Sequence, residues 1–131
     1  MLTLLTGKPG NGKGVYLLDK LLNEYPNRRA FVWGININKS SPYQIEPLVE
    51  PQDWHKLPDG AVVVIDECQK VFPQRSPTAK PPEHCIKIAE HRHRGFDLIF
   101  ITQDPKDIDA YVRRKVGRHI HLKRSVRSEE R

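Results

Sequence analysis

The sequence predicts an α/β fold, a three-layer α/β/α sandwich around a mainly parallel, five-stranded sheet. Two observations predict it. Short apolar runs alternate with helical segments along the chain, which is the pattern of a parallel sheet whose crossovers are helices. A glycine-rich segment, Gly7-Lys8-Pro9-Gly10-Asn11-Gly12-Lys13, falls between the first apolar run and the first helical segment.

The elements follow in order. Leu2–Thr6 is an apolar run ending in glycine, as a buried strand requires. Residues 13–25 carry Leu17, Leu18, Leu21, Leu22 and Tyr25 at helical spacing, and Pro26 stops that helix. Ala30–Trp33 is the second strand. Residues 34–60 hold Pro42, Pro47, Pro51 and Pro58 and are expected to be irregular. Ala61–Ile65 is a third strand, apolar throughout, which suits a sheet covered on both faces. Pro73–Pro82 reads as a polar, proline-rich and mobile loop. Glu83–Arg94 is expected to be helical, with prolines before it and Gly95 after it. Leu98–Thr102 is the fourth strand. Asp104 and Pro105 suit an N-cap and first helical position, opening one helix to about Val116. Gly117 ends that helix, and Arg118–Leu122 alternates as the fifth strand.

The 131 residues suffice for one domain with a real core, so 1–131 reads as a single unit. No run approaches the roughly 20 apolar residues of a membrane-spanning helix. The N-terminus lacks a basic region and reads as a strand, not a signal peptide. Cys68 and Cys85 are too few for a disulfide framework, which points to a reducing, cytoplasmic compartment. The net charge of +6 is unevenly placed. Residues 1–110 carry 14 Lys and Arg against 14 Asp and Glu, whereas residues 111–131 carry eight against two. The excess is either a solvated basic end or a contact for nucleic acid or anionic lipid. The closing RSVRSEER bears no stop signal, so a longer protein is expected.

Gly7 to Lys13 fits GxxxxGK in its required strand–loop–helix setting. Glycines let the backbone curl around a phosphate chain with successive N–H groups pointing inward. The helix N-terminus adds about half a positive charge. The expected nucleotide-binding residues are Gly7, Lys8, Pro9, Gly10, Asn11, Gly12, Lys13, Gly14 and Val15, with Lys13 on the β- and γ-phosphates. Gly14 stands where Ser or Thr normally offers a hydroxyl to Mg²⁺. Either water fills that place, or the metal is held less well, or nucleotide is bound without fast turnover.

Val62-Val63-Val64-Ile65-Asp66-Glu67 places two acids at the C-terminal end of a strand, the edge where open parallel sheets bind ligands. Asp66 is the expected Mg²⁺ residue and Glu67 the general base that polarises the attacking water. Gln103 ends the fourth strand, where an amide orients water or senses phosphate, unless it merely faces solvent. His91-Arg92-His93-Arg94 complements a helix dipole or contacts phosphate, in the same subunit or a neighbour. Arg113 and Arg114 are candidates for an arginine finger acting in trans, as is Arg92. The cofactors this implies are ATP and Mg²⁺. Cys68, His84 and Cys85 match no common zinc spacing.

Together these motifs resemble the N-terminal ATPase domain of the zonular occludens toxin family, which includes the inner-membrane assembly proteins of filamentous phages. The residues carrying the resemblance are GKPGNGKG at 7–14, Trp54 with Leu57-Pro58-Asp59-Gly60, VVVIDECQKVFP at 62–73, HRHRGFDLIFITQDP at 91–105, and Ile108 with Val112-Arg113. The resemblance implies an additional-strand P-loop fold, with a strand inserted between the P-loop strand and the acidic strand. It implies an ATPase on the cytoplasmic face of the bacterial inner membrane, tethered by a segment absent from this chain. It implies a homo-oligomer that works with phage assembly and coat proteins, and with phage single-stranded DNA, to extrude virions. A nucleotide-dependent scaffold with slow or no hydrolysis is the alternative, which Gly14 favours and Glu67 opposes.

Overall fold

The computed structural model describes residues 1–7, 19–35 and 45–122. Period-two alternation in the apolar runs decides how the chain folds, because it divides each strand between two faces. Leu2, Leu4, Val63, Ile65, Leu98 and Phe100 point into one core, with Phe72, Ile88, Phe96, Ile108 and Val112 packed over them. Val62, Val64, Ile99, Ala30 and Val32 point the other way, onto Leu21 and Leu22. Fully burying a Leu, Ile or Val side chain contributes about 1.5–3 kcal/mol, so both faces are strongly held.

Six strands form: β1 (Leu2–Gly7), β2 (Ala30–Trp33), β3 (Ile45–Pro47), β4 (Val62–Ile65), β5 (Asp97–Thr102) and β6 (Arg118–Leu122). Their order across the sheet is β3-β2-β4-β5-β1-β6, and every pairing is parallel. β5 lies between β1 and β4, which is the inserted strand of the additional-strand P-loop fold. The P-loop NTPase class expected from the sequence is therefore the observed one.

The sixth strand corrects the expectation of five. β3 lies in the stretch expected to be irregular, and it is only three residues long. Its partial exposure leaves no apolar pattern to read. It sits on the sheet edge, where Pro47 needs no outward N–H, and the chain beyond it is held by Leu48 N–H on the Val32 carbonyl at 2.8 Å. The same stretch holds a 3₁₀ helix, Pro51–Lys56. Its Trp54 is buried edge-on against Phe96 and donates its indole N–H to the His84 carbonyl at 3.0 Å.

Two expected helices are shorter than their sequence pattern. Glu83–Ile86 is α-helical, continues as a 3₁₀ turn over Lys87–Glu90, and gives way to turns before Gly95. The helix expected from Asp104 is split. Asp104 does cap, accepting from Lys106 N–H at 2.9 Å, but only the 3₁₀ turn Pro105–Asp107 follows. Ile108 then turns extended, fully buried, and bridges to Pro73. Asp109 caps anew by accepting from Tyr111 N–H at 2.7 Å, and Ala110–Arg114 is helical. Burial of Ile108 and the ion pair of Asp109 with Arg75 interrupt the helix, and neither is visible in local propensity. That ion pair also ties down the proline-rich segment expected to be mobile, together with the Arg75 bond to the Ala79 carbonyl at 3.2 Å. Of the first expected helix, residues 19–25 are described: 19–22 are helical, and the chain turns over 23–25, before Pro26.

Candidate functional site

Because the strands all run the same way, the C-terminal ends of β1, β4 and β5 share one edge. Gly7 closes β1, Asp66 follows β4, and Gln103 follows β5. The sequence-predicted groups Gly7, Asp66, Glu67 and Gln103 are thus brought to one side of the molecule. Lys8, Pro9, Gly10, Asn11, Gly12, Lys13, Gly14 and Val15 lie outside the described residues.

Two glycines shape this edge. Gly7 has φ +134°, and a Cβ on it would lie 2.4 Å from the Leu122 carbonyl oxygen of β6. Only glycine permits both that backbone angle and that approach. Gly34 has φ +87°, and a Cβ there would come within 3.1 Å of the Asp66 Cβ. The β2 end thereby closes on Asp66, whose N–H donates to the Trp33 carbonyl at 3.0 Å.

Asp66 is half-buried. Burial pushes its carboxyl up from the usual range; the Glu67 N–H opposes this, and the neighbouring Glu67 carboxylate adds to it. That N–H donates to Asp66 Oδ1 at 2.8 Å. Among the described residues one Asp66 oxygen is bound, and a half-buried carboxylate of this kind is chemically suited to a divalent cation, which offsets the cost of desolvating the charge.

Glu67 takes the left-handed backbone, φ +49° and ψ +50°, without being glycine or asparagine. Such a conformation costs of order 1 kcal/mol and persists where surrounding structure enforces it. It turns the chain sharply into the 3₁₀ helix Cys68–Lys70, leaving the Glu67 carboxylate exposed and paired with Lys70 Nζ at 3.1 Å.

Gln103 is exposed just past β5. Beside it, Thr102 is buried and its hydroxyl donates to Gln69 Oε1 at 3.0 Å. This bond joins the turn after the acidic pair to the end of β5. The sequence shows no role for it, and Gln69 stands there only within the segment VVVIDECQKVFP at 62–73. A second link was also missed. The Thr6 hydroxyl, immediately before Gly7, bonds both His119 Nε2 at 2.6 Å and His121 Nδ1 at 2.9 Å. Alternation along β6 was its signal, since His119 and His121 share a face.

The candidate arginines separate. Arg113 is half-buried, and its Nη1 donates to the Pro105 carbonyl at 3.4 Å, near the loop that follows Gln103. Arg92 lies at the opposite edge of the sheet: its Nη2 is 3.6 Å from the place of a Cβ on Gly117, whose N–H bonds the Leu2 carbonyl at the start of β1. Arg94 is also at that opposite edge. It pairs with Asp59 at 2.8 Å and donates to the carbonyls of His55 and Leu57. Arg114 stacks over Tyr111, 5.9 Å from the ring centre.

Zinc is not supported. His84 Nε2 donates to the Val71 carbonyl at 2.7 Å, and the Cys85 thiol donates to Asp109 Oδ2 at 3.3 Å. Burial pushes the Cys68 thiol up to about 12, and burial with Asp109 does the same to Cys85. Among the described residues no cluster of three or more His, Cys, Asp or Glu side chains could hold a metal. No described helix is long and apolar enough to cross a membrane.

Comparison with known proteins agrees with the architecture. The family model described as "Zonular occludens toxin (Zot)" matches residues 18–127. A putative assembly protein, ORF301 of Pseudomonas phage Pf3, is 38% identical over 134 aligned positions, covering 95% of this chain and 43% of its own length. The chain therefore spans less than half of that relative. The crystal structure of the N-terminal domain of zonular occludens toxin from Neisseria meningitidis superposes with a TM-score of 0.74 at 31% identity, over 93% of this chain and 76% of that one. The genome-packaging NTPase B204 of Sulfolobus turreted icosahedral virus 2, solved with ATP-gammaS, shares the fold at 18% identity, with a TM-score of 0.67 over 95% of this chain and 76% of its own. On the family match over most of its length and on both close relatives, the chain belongs to the zonular occludens toxin family.

Proposed function

We propose that this chain is the ATP-binding and ATP-hydrolysing domain of a Zot-like protein that powers filamentous phage assembly and extrusion at the cytoplasmic face of the inner membrane. The observation that carries the reading is the gathering of Gly7, Asp66, Glu67 and Gln103 on one edge of a parallel sheet. The NTPase solved with ATP-gammaS has the same fold, and the phage Pf3 relative is named a putative assembly protein.

In this reading Lys8 to Val15 would bind the phosphates, with Lys13 neutralising their charge. Asp66 holds Mg²⁺, which when bound screens the β- and γ-phosphate charge. The Glu67 carboxylate leaves Lys70 and takes a proton from water; the resulting hydroxide bonds to the γ-phosphorus as the bond from that phosphorus to the β–γ bridging oxygen breaks, releasing inorganic phosphate and ADP. Gln103 orients that water. Arg113, or Arg92, reaches a neighbouring subunit's site in a homo-oligomer. Arginines supplied in this way are worth about 10³–10⁵ in rate in other phosphoryl-transfer systems.

A scaffold that binds ATP with slow or no hydrolysis is the second reading. Gly14 favours it, and so does the Lys70 contact that occupies Glu67 in this structure. Titration with a fluorescent ATP analogue tests the shared part: the wild type binds and Lys13→Ala does not. Equal binding by both would misplace the site. Turnover per subunit against concentration then separates the readings. A rate that rises with assembly, and that a mixture of Lys13→Ala and Arg113→Ala subunits restores, supports the motor. A flat rate near zero supports the scaffold.

A further inference from the structure

The turn that follows the acidic pair is fixed to the sheet in two ways. Cys68 and Phe72 are buried, and Phe72 stacks on Phe100 of β5 with ring centres 5.0 Å apart. Apolar contacts of this kind are non-directional, so they set the depth of the turn more than its rotation. Gln69, between them, is partly exposed and supplies a directional contact: its Oε1 accepts from the Thr102 hydroxyl at 3.0 Å. Thr102 is buried and has one hydroxyl hydrogen to give. The Asp104 carbonyl lies 3.5 Å from that hydroxyl, so the shorter bond to Gln69 takes the hydrogen.

Both ends of this bond lie beside candidate site residues. On the turn, the backbone of Glu67 is engaged on both sides: its N–H donates to Asp66 Oδ1 at 2.8 Å, and its carbonyl accepts from the Lys70 N–H at 2.9 Å. The Glu67 carboxylate therefore moves with the turn, and Gln69 sets the rotation of that turn. On the sheet, Thr102 immediately precedes Gln103 and lies in register with Thr6, the residue before Gly7. Leaving a buried hydroxyl unpaired is costly, so the bond resists rotation of the turn away from β5.

We propose that Gln69 and Thr102 are positioning residues for ATP hydrolysis: their hydrogen bond fixes the rotation of the Cys68–Lys70 turn and so the place of the Glu67 carboxylate relative to Gln103 and the end of β1. The inference rests on the reading of Glu67 as the general base. Neither residue acts on the nucleotide itself, so losing the bond slows turnover without weakening nucleotide binding.

The experiment measures steady-state ATP turnover by this chain at its most active concentration. Affinity for a fluorescent ATP analogue and the thermal midpoint are taken on the same samples. Gln69→Leu removes the acceptor and Thr102→Val removes the donor, each with little change in side-chain volume. Each is expected to lower kcat by about 10–100-fold, the effect of displacing a reacting group by about 1 Å, with KM and analogue affinity within about twofold of wild type. The double variant is expected to fall no further than the lower single, because both changes break one bond. Thr102→Ser removes the buried methyl and keeps the hydroxyl, so it is expected to recover most of the loss seen in Thr102→Val. The reverse order of those two variants would make Thr102 a packing residue and overturn the proposal. So would losses that multiply in the double variant, or losses that track a fall in thermal midpoint. Turnover retained by both single variants would overturn the positioning role alone. A wild type that binds the analogue but never hydrolyses ATP would overturn the assignment of Glu67 as base, and the positioning role with it.

Discussion

The two edges of the sheet are built on opposite principles. At the N-terminal edge, one carboxylate is saturated. Asp97 is held by the Met1 ammonium and by Arg28, each at 2.8 Å, and Arg28 also donates to the Gly60 and Gly95 carbonyls at 2.8 and 2.9 Å. Burial pushes the Asp97 carboxyl up, but these cations outweigh it and hold it below the usual range. At the C-terminal edge, Asp66 accepts from one N–H among the described residues and burial leaves its carboxyl raised, while Glu67 sits in a left-handed backbone. At one edge a partly buried carboxylate is held by two cations of the chain; at the other, a half-buried carboxylate has no ion pair among the described residues. A site of the second kind is maintained at the expense of stability, which is the usual relation between activity and folding.

That contrast can be broken most sharply at Glu67. Glu67→Gln is expected to lower ATP turnover by about 10²–10⁴-fold, the worth of a general base, while nucleotide binding and thermal midpoint stay at wild-type values. A loss of turnover that only tracks a fall in Tm would assign Glu67 a structural part instead.

The opposite edge is expected to answer in the opposite way. Asp97→Ala strips a partly buried Arg28 of its carboxylate and is expected to cost about 2–3 kcal/mol in urea denaturation, between the values for exposed and buried pairs. ATP affinity is expected to be unchanged. Weakened nucleotide binding at unchanged stability would contradict the division of roles.

Asp66→Asn sharpens the comparison further. It is expected to raise stability by up to about 1 kcal/mol near neutral pH and to abolish the Mg²⁺ dependence of ATP binding. The pH signs differ between the edges. A raised carboxyl binds its proton more tightly when folded, so ionised Asp66 subtracts stability as pH rises through its titration. Depressed Asp97 adds stability above the ordinary carboxylate pKa of about 3.9, and that stability is lost as pH falls through its lower folded value. Thermal melts between neutral and acid pH are therefore expected to be steeper for Asp66→Asn than for Asp97→Asn. The reverse order would exchange the two edges' roles.

The smallest effect is expected at Gly14. Gly14→Ser supplies a hydroxyl ligand and is expected to lower the Mg²⁺ concentration needed for half-maximal turnover by a few-fold. An unchanged requirement would mean that water or Asp66 already completes the coordination.

Sequence by itself determined the parallel α/β architecture, the strands Leu2–Gly7, Ala30–Trp33, Val62–Ile65, Asp97–Thr102 and Arg118–Leu122 to within a residue, and the acidic pair at a strand end. Alternation and glycine spacing are local, so they survive in a linear reading. It did not show β3, whose three partly exposed residues carry no pattern, or the break at Ile108, which follows from its burial and its bridge to Pro73, remote in sequence. Nor did it separate Arg92 and Arg94 from the candidate nucleotide edge. Their place at the opposite edge, the bond from Thr102 to Gln69 and the bonds from Thr6 to two histidines join residues up to 115 positions apart. Such contacts form only once parallel strands bring remote segments into register, so the tertiary structure alone decided which polar groups are paired within the chain and which remain available to a ligand.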